Sequence, residues 1–196
     1  MHALPRRPSL RRALVLPLAF CLAASCCACS PGSNLHPIPA YNATTYRLGP
    51  GDQVRLITYG DEQLTDDFRV SENGTIALPL LGAVPAQGLT ADELASEIAQ
   101  RLEQKKLLRN ASVTVEVTAY RPIAVLGEVA RPGEYPYHPG MTMLSAVAAA
   151  GGFTYRAVES RAKVIRKEGN KLVAGRLTPE DYVAPGDVID VYMRVF

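Results

Sequence analysis

Apolar and polar residues alternate along two short segments that lie about 135 residues apart and share the motif Pro-Gly-Asp. The first is GPGDQVRLITYG (residues 49–60) and the second is APGDVIDVYMRV (residues 184–195). A period of two predicts β-strands with one apolar face, and a Pro-Gly pair before each strand predicts a tight turn. The repeat therefore indicates two modules, each with a strand that follows such a turn. The predicted turn residues are Pro50, Gly51 and Asp52 in the first copy and Pro185, Gly186 and Asp187 in the second.

The first module, residues 46–119, shows short strand patterns and one amphipathic helix. Strands are predicted at residues 53–59, 67–71, 75–78 and 112–119, with a loop at residues 79–88. Asn73 and Gly74 lie between two of these strands and predict a hairpin turn. Thr90 and Glu93 form a capping box, which predicts a helix that runs to about residue 106. Its buried face would consist of Leu94, Ile98 and Leu102, which are four residues apart.

The second module, residues 120–196, repeats the mixture of strands with one helix. Strands are predicted at residues 123–129, 161–166, 172–176 and 188–195, with a turn at Pro132 and Gly133 after the first. A helix of small residues, 143–150, is capped by Thr142 and ended by Gly151 and Gly152. Its alanines let it lie close to a sheet. We therefore expect an α+β fold of two small modules, the second of them β-grasp-like.

The N-terminal 25 residues have the pattern of a secretory signal peptide. Four arginines precede the uncharged apolar run ALVLPLAFCLAAS, which is too short for a comfortable bilayer span. The end of this run and the next residue, Leu22-Ala23-Ala24-Ser25-Cys26, resemble the lipobox of bacterial lipoproteins, so Cys26 is the expected lipidation site and Cys29 the alternative. A plain signal peptide cleaved nearby is the other interpretation. Residues 26–45, rich in Pro, Ser and Asn towards their end, are expected to form a lipidated tether.

Cysteine and charge distribution exclude several classes of protein. All four cysteines lie at or before Cys29, so the exported modules have no disulfide framework and no thiolate metal site. Removing the four arginines of the signal leaves 17 of the 21 basic residues against 19 acidic ones, a net charge near −2. No basic stripe with interleaved aromatic residues remains, which argues against a nucleic-acid partner.

Candidate catalytic residues are few, and we predict no catalysis, no metal and no cofactor. A histidine-based triad would depend on His138, which lies in a turn pattern. Four acidic residues in a polar loop are better explained as a solvated surface than as a pair for glycoside chemistry. They are Asp61, Glu62, Asp66 and Asp67. The sequence contains neither a Walker loop nor a dinucleotide-binding glycine motif.

The order of these motifs resembles the polysaccharide export lipoproteins of the bacterial outer membrane. The resemblance covers residues 46–195 and lies in YRLGPGDQVRLITYGDEQL, VSENGTIALPLLGAVPAQGLTADEL, VTVEV, VLGEVARPGEYPYHPGMTMLSAVAAAGGFT and APGDVIDV. It implies an N-terminal export domain followed by a soluble-ligand-binding β-grasp (SLBB) domain. It also implies a protein that is lipid-anchored in the outer membrane and faces the periplasm.

The resemblance further implies a function in transport. Members of the family assemble as homo-oligomeric rings that conduct capsular polysaccharide or exopolysaccharide, together with an inner-membrane polysaccharide co-polymerase. Longer members carry a second β-grasp module and a C-terminal amphipathic helix, whereas this sequence ends at Phe196. A separate outer-membrane pore protein is therefore a further expected partner. The alternative is a monomeric, tethered lipoprotein that binds a glycan or a partner, and oligomeric state separates the two hypotheses.

Overall fold

The computed structural model describes residues 32–41, 46–60, 64–169 and 171–194. The signal segment, Cys26 and Cys29, and the acidic residues Asp61 and Glu62 lie outside these ranges. The described part contains ten strands and two helices. None of its helices is both long and apolar enough to cross a lipid bilayer.

The first module consists of two small antiparallel sheets and one helix. Strands β1 (Gln53–Thr58), β2 (Asp66–Arg69) and β5 (Val113–Ala119) form a sheet with β1 in the centre. Strands β3 (Thr75–Leu78) and β4 (Gly82–Pro85) form a second sheet of two strands. Helix α1 (Ala91–Gln104) has the predicted capping box, and it buries Leu94, Ile98 and Leu102. Apolar residues of both sheets and of α1 form one hydrophobic cluster.

Two local predictions for this module were incomplete. The Asn73-Gly74 turn forms and is closed by a bond from the Ser71 amide to the Thr75 carbonyl, at 2.8 Å. The flanking strands then separate, because β2 forms its ladder with β1 and β3 forms its ladder with β4. Strand β4 lies in the segment that we expected to be a loop. It has only one buried side chain, so it lacks the longer alternation that would have predicted a strand.

The second module is a five-stranded sheet covered by a short helix. Its elements are β6 (Ile123–Gly127), β7 (Gly133–Tyr135), α2 (Met143–Ala149), β8 (Ala157–Glu168), β9 (Lys171–Leu177) and β10 (Val188–Met193). The strand order is β7-β6-β10-β8-β9, and β10 runs parallel to β6 and antiparallel to β8. Helix α2 buries Met143, Ala146 and Val147 in a second hydrophobic cluster. The expected α+β fold of two small modules is confirmed.

The glycines of the second module lie at different kinds of position. Gly151 and Gly152 end α2 in a Schellman motif, in which their amides bond to the carbonyls of Ala148 and Val147. Gly133, in contrast, begins strand β7 and pairs with Val125. The chain therefore reverses before Pro132, not at Pro132 and Gly133 as predicted. Gly127, whose φ is 81°, provides the left-handed conformation in this reversal.

Part of the predicted tether is held against the second module. The Ile38 amide donates to the Arg176 carbonyl at 3.1 Å, and the Arg176 amide donates to the His36 carbonyl at 2.9 Å. This parallel bridge covers the outer edge of β9. Ile38 also packs against the hydrophobic cluster of the second module. The close approach is made at Gly175, where an added Cβ would lie 2.8 Å from Ile38 Cβ.

We expect Gly175→Ala to displace this N-terminal segment without unfolding the module. A methyl group at Gly175 would overlap Ile38, while the position has no positive φ that alanine would strain. Hydrogen–deuterium exchange at the Ile38 and Arg176 amides should become at least about tenfold faster. Gly133→Ala is the matched control, because its added Cβ meets only the Tyr135 ring, at 4.0 Å. Unchanged exchange at the Ile38 amide in the Gly175→Ala variant would show that the close approach at Gly175 is not needed to hold the N-terminal segment on the second module.

Candidate functional site at the junction of the two modules

The two copies of the Pro-Gly-Asp motif form the same type of turn. Gly51 and Gly186 have φ values of 96° and 83°, and each follows a proline, as in a type II turn. The aspartate amide donates to the carbonyl three residues earlier, at 3.2 Å in the first turn and 3.1 Å in the second. The aspartate side chain then accepts a bond from the amide of that same residue, Gly49 or Ala184, at 2.8 Å in both turns. Each copy of the repeat is thus a turn in which the aspartate carboxylate folds back onto the amide of the first turn residue.

Both carboxylates are buried, and each is paired with an arginine. The exposed fraction is 0% for Asp52 and 1% for Asp187. In the second module, Arg166 donates from Nε to Asp187 Oδ1 at 2.9 Å and from Nη2 to Oδ2 at 2.7 Å. Its Nη1 donates to the Pro39 carbonyl at 3.0 Å, so Arg166 also ties the N-terminal segment to the second module. Two parallel bonds between a guanidinium and a carboxylate form a strong and specific pair.

The first module has a looser version of the same pair. Asp52 Oδ1 accepts from the main-chain amide of Arg121 at 2.9 Å, and its Oδ2 accepts from the Tyr46 hydroxyl at 2.5 Å. The Arg121 guanidinium lies farther away, with Nε 3.6 Å from Oδ1. Its Nη2 donates to Tyr46 Oη over 3.3 Å, and its buried Nε has no hydrogen-bond partner among the described residues. Arg121 is therefore held mainly by its backbone.

A row of tyrosines connects the two aspartate sites. Tyr46, Tyr120, Tyr137 and Tyr41 follow one another in edge-to-face contacts, with centroid distances of 5.0, 5.5 and 6.5 Å. The guanidinium of Arg121 lies 5.8 Å from the Tyr46 ring centroid, and that of Arg166 lies 5.8 Å from the Tyr41 ring centroid. Burial raises the pKa of all four phenols above the ordinary tyrosine value, and the bond to Asp52 raises that of Tyr46 further. The row is therefore neutral across the physiological pH range.

These contacts surround the linker that joins the modules. Strand β5 ends at Ala119 and β6 begins at Ile123, so the linker has three residues. Tyr120 packs on tyrosines of both modules, and the Arg121 amide bonds to Asp52 of the first. We call this arrangement of linker, aspartates, arginines and tyrosines the junction. Because the linker is short and held on both sides, the junction limits rotation of one module against the other.

Two adjoining grooves lie along the junction. Their volumes are about 360 and 230 Å³, and residues of both modules line them. Arg47, Arg121 and Lys167 line both grooves, so they form one continuous cleft. Tyr41 and Tyr46 line the larger part. Basic and aromatic side chains thus meet in the same concave surface.

The residues considered for catalysis lie elsewhere. His138 is exposed, and its carbonyl accepts from the Met141 amide in a turn. Asp66 and Asp67 lie on β2, and two hydrogen bonds from Arg55 to Asp67 lower the pKa of that carboxyl. In the part of the chain that the structure describes, no three His, Cys, Asp or Glu side chains are grouped to hold a metal ion.

The sequence predicted the two turns but not their arginine partners. Arg121 follows Asp52 by 69 residues, whereas Arg166 precedes Asp187 by 21, so no common spacing relates the pairs. The tyrosines of the junction also have no periodic spacing. The repeated aspartate was the available signal, because Pro-Gly alone is enough for the turn and a buried carboxylate needs a partner.

Comparison with known proteins gives the following matches. The family described as polysaccharide biosynthesis/export protein matches residues 40–118, and the SLBB domain matches residues 122–176. The chain is 38% identical to the exopolysaccharide production protein ExoF of Rhizobium meliloti (strain 1021) in an alignment of 121 residues that covers 56% of this chain. It is 32% identical to the Vi polysaccharide export protein VexA/TviF of Salmonella typhi over 87 residues, which is 44% of this chain.

The matched segments cover only part of both relatives. They span 29% of the Rhizobium protein and 24% of the Salmonella protein. The two domain matches meet at the three-residue linker, since one ends at residue 118 and the other begins at residue 122. The junction therefore lies between an export domain and an SLBB domain.

Proposed function

This chain belongs to the polysaccharide export family, and we propose that it is the outer-membrane lipoprotein of a polysaccharide export system. In this proposal, lipidation at Cys26, or alternatively at Cys29, anchors the protein so that it faces the periplasm. Several copies form a ring whose lumen conducts capsular polysaccharide or exopolysaccharide. An inner-membrane polysaccharide co-polymerase is the proposed partner.

The observation that carries this proposal is the restrained junction between an export domain and an SLBB domain. A closed ring needs every subunit to present its interfaces at the same angle. A flexible linker would allow each subunit a different angle between its modules. The bond from the Arg121 amide to Asp52 and the packing of Tyr120 between the modules limit that freedom. Each subunit can then repeat one geometry around the ring.

The site chemistry is also compatible with transport. A conduit for a hydroxyl-rich chain needs polar surfaces that exchange water contacts for side-chain contacts with little net gain. We propose no catalytic step. Among the described residues, His138 is exposed in a turn and Asp67 is occupied by Arg55. The cleft favours a second candidate function, in which a monomeric lipoprotein binds a glycan.

The mass of the detergent-extracted protein tests the proposal. We expect light scattering to give a multiple of the subunit mass, and negative-stain images of the same sample to show closed rings. Mass spectrometry of the N-terminal peptide should find acyl chains on Cys26 or Cys29. A monodisperse monomer at high concentration would contradict the ring and favour the binding lipoprotein.

A further inference from the structure

We propose that the cleft along the junction binds a carboxylate-bearing sugar residue of the exported polysaccharide. The proposal rests on the proposed function for the identity of the glycan, and on the geometry of the cleft for the site. The cleft lies between the export domain and the SLBB domain, and its two grooves of about 360 and 230 Å³ share three cationic side chains, Arg47, Arg121 and Lys167.

The charge of the cleft favours an anion. Glu168 is the acidic residue among those that line its larger groove. Arg47 pairs with Glu93 at 3.0 Å, but both side chains are about half exposed, so water screens this pair. The Lys167 side chain is exposed, and its ammonium group has no hydrogen-bond or ion-pair partner within the described ranges. Its ammonium group is therefore available to a ligand.

A comparison of the two buried pairs identifies the second anion-binding group. Arg166 uses Nε, Nη1 and Nη2 in bonds to Asp187 and to two carbonyls, which leaves it a structural role. Asp52 instead takes its bonds from the Tyr46 hydroxyl, the Gly49 amide and the Arg121 amide. The guanidinium of Arg121 consequently makes one long hydrogen bond, from Nη2 to Tyr46, within the described part of the chain. Its Nε lies 3.6 Å from Asp52 Oδ1, and the side chain lines both grooves. Arginine N–H groups that have few hydrogen bonds within the protein can donate to the carboxylate of a ligand.

The other lining residues favour a sugar over a small anion. Pro39, Tyr41, Tyr46 and Pro185 add apolar and aromatic surface beside the cations. A pyranose ring presents C–H faces to such surfaces and hydroxyl groups to water. A sugar acid therefore matches both the basic and the apolar sides of the cleft. Its exposed cations give weak binding, which allows the polysaccharide to leave again.

Calorimetric titration of the full, detergent-solubilised chain tests this site. The probes are trigalacturonic acid, the neutral trisaccharide maltotriose and sodium acetate. We expect the acidic trisaccharide to bind more tightly than the other two, and its affinity to fall as salt is raised. Lys167→Gln should weaken this binding about threefold to tenfold, as expected for one exposed charge. Lys171→Gln is the matched control, because Lys171 is an exposed lysine of the neighbouring strand and does not line either groove.

Arg121→Gln should weaken binding by a larger factor. Arg121 also contacts Tyr46 and faces the buried Asp52 carboxylate, so the Arg121 result counts only if the circular dichroism spectrum is unchanged. The Lys167 variant tests the site without this complication. Equal affinity for the acidic and neutral trisaccharides would overturn the proposal. So would an acetate affinity that matches the acidic trisaccharide, or an unchanged affinity in Lys167→Gln.

Failure of the site and failure of the proposed function can be distinguished. A protein that forms rings but does not bind the acidic trisaccharide would overturn the site and leave the conduit intact. A monomer that binds the trisaccharide through Lys167 would support the site and contradict the ring.

Discussion

Replacement of Asp187 by alanine should lower the free energy of unfolding by about 3–5 kcal/mol. Asp187 is 1% exposed, and its partner Arg166 is 7% exposed. The substitution removes the carboxylate and leaves the guanidinium buried without a countercharge. Breaking one partner of a buried pair is costly for this reason, even where the intact pair adds little to stability. Urea denaturation of the purified protein measures the change.

Asp181→Ala is the control for the turn itself. Asp181 lies in a similar turn, after Pro179, and its Oδ2 accepts from the Thr178 amide at 2.6 Å. It has no arginine partner among the described ion pairs. We expect its loss to cost about 1 kcal/mol, the net value of one hydrogen bond. If the two variants lost the same stability, the Arg166 pair would not matter beyond the turn.

The large features of the fold could be predicted because they depend on neighbouring residues. The capping box at Thr90 and Glu93 and the spacing of Leu94, Ile98 and Leu102 predicted α1, and the structure has all of them. The strand after each Pro-Gly-Asp motif was also predicted, and both form as β1 and β10. Backbone preference and side-chain periodicity act over a few residues, so a single sequence contains this information.

The junction could not be predicted, because its contacts join distant parts of the chain. Asp52 meets Arg121, and Arg166 meets both Asp187 and the Pro39 carbonyl, which is 127 residues away. Ile38 lies against Gly175 in a segment whose composition indicates a tether. A polar composition indicates that a segment cannot form a hydrophobic core of its own. Composition does not indicate whether a neighbouring module has an unpaired sheet edge to which the segment can bond.

Replacement of Asp52 by alanine should release the linker and separate the behaviour of the two modules. Asp52 accepts bonds from Tyr46, Gly49 and the Arg121 amide, so three donors lose their partner at once. We expect the first module to lose about 3 kcal/mol, since leaving buried donors unsatisfied costs about 1–3 kcal/mol each and water can reach some of them. The second module keeps its own hydrophobic cluster and should retain its stability.

Hydrogen exchange at the Arg121 amide measures the release directly. This amide donates to Asp52 Oδ1 at 2.9 Å in the intact protein, so it should be protected there and exchange rapidly in Asp52→Ala. Tyr46→Phe is the graded control: it removes only the hydroxyl that donates to Asp52 and retains the ring that contacts Tyr120. We expect it to lose about 1 kcal/mol and to keep the Arg121 amide protected.

The Asp52→Ala variant also tests whether the junction matters for the proposed transport function. If the fixed angle between the modules is what allows a ring to close, Asp52→Ala should give smaller or irregular assemblies by light scattering, while Tyr46→Phe should assemble normally. If the proposed function holds, export of polysaccharide to the cell surface should fall in parallel with assembly. Rings that form normally although the Arg121 amide exchanges rapidly would show that the junction stabilises the subunit alone. The angle between modules would then have to be set by contacts between neighbouring subunits.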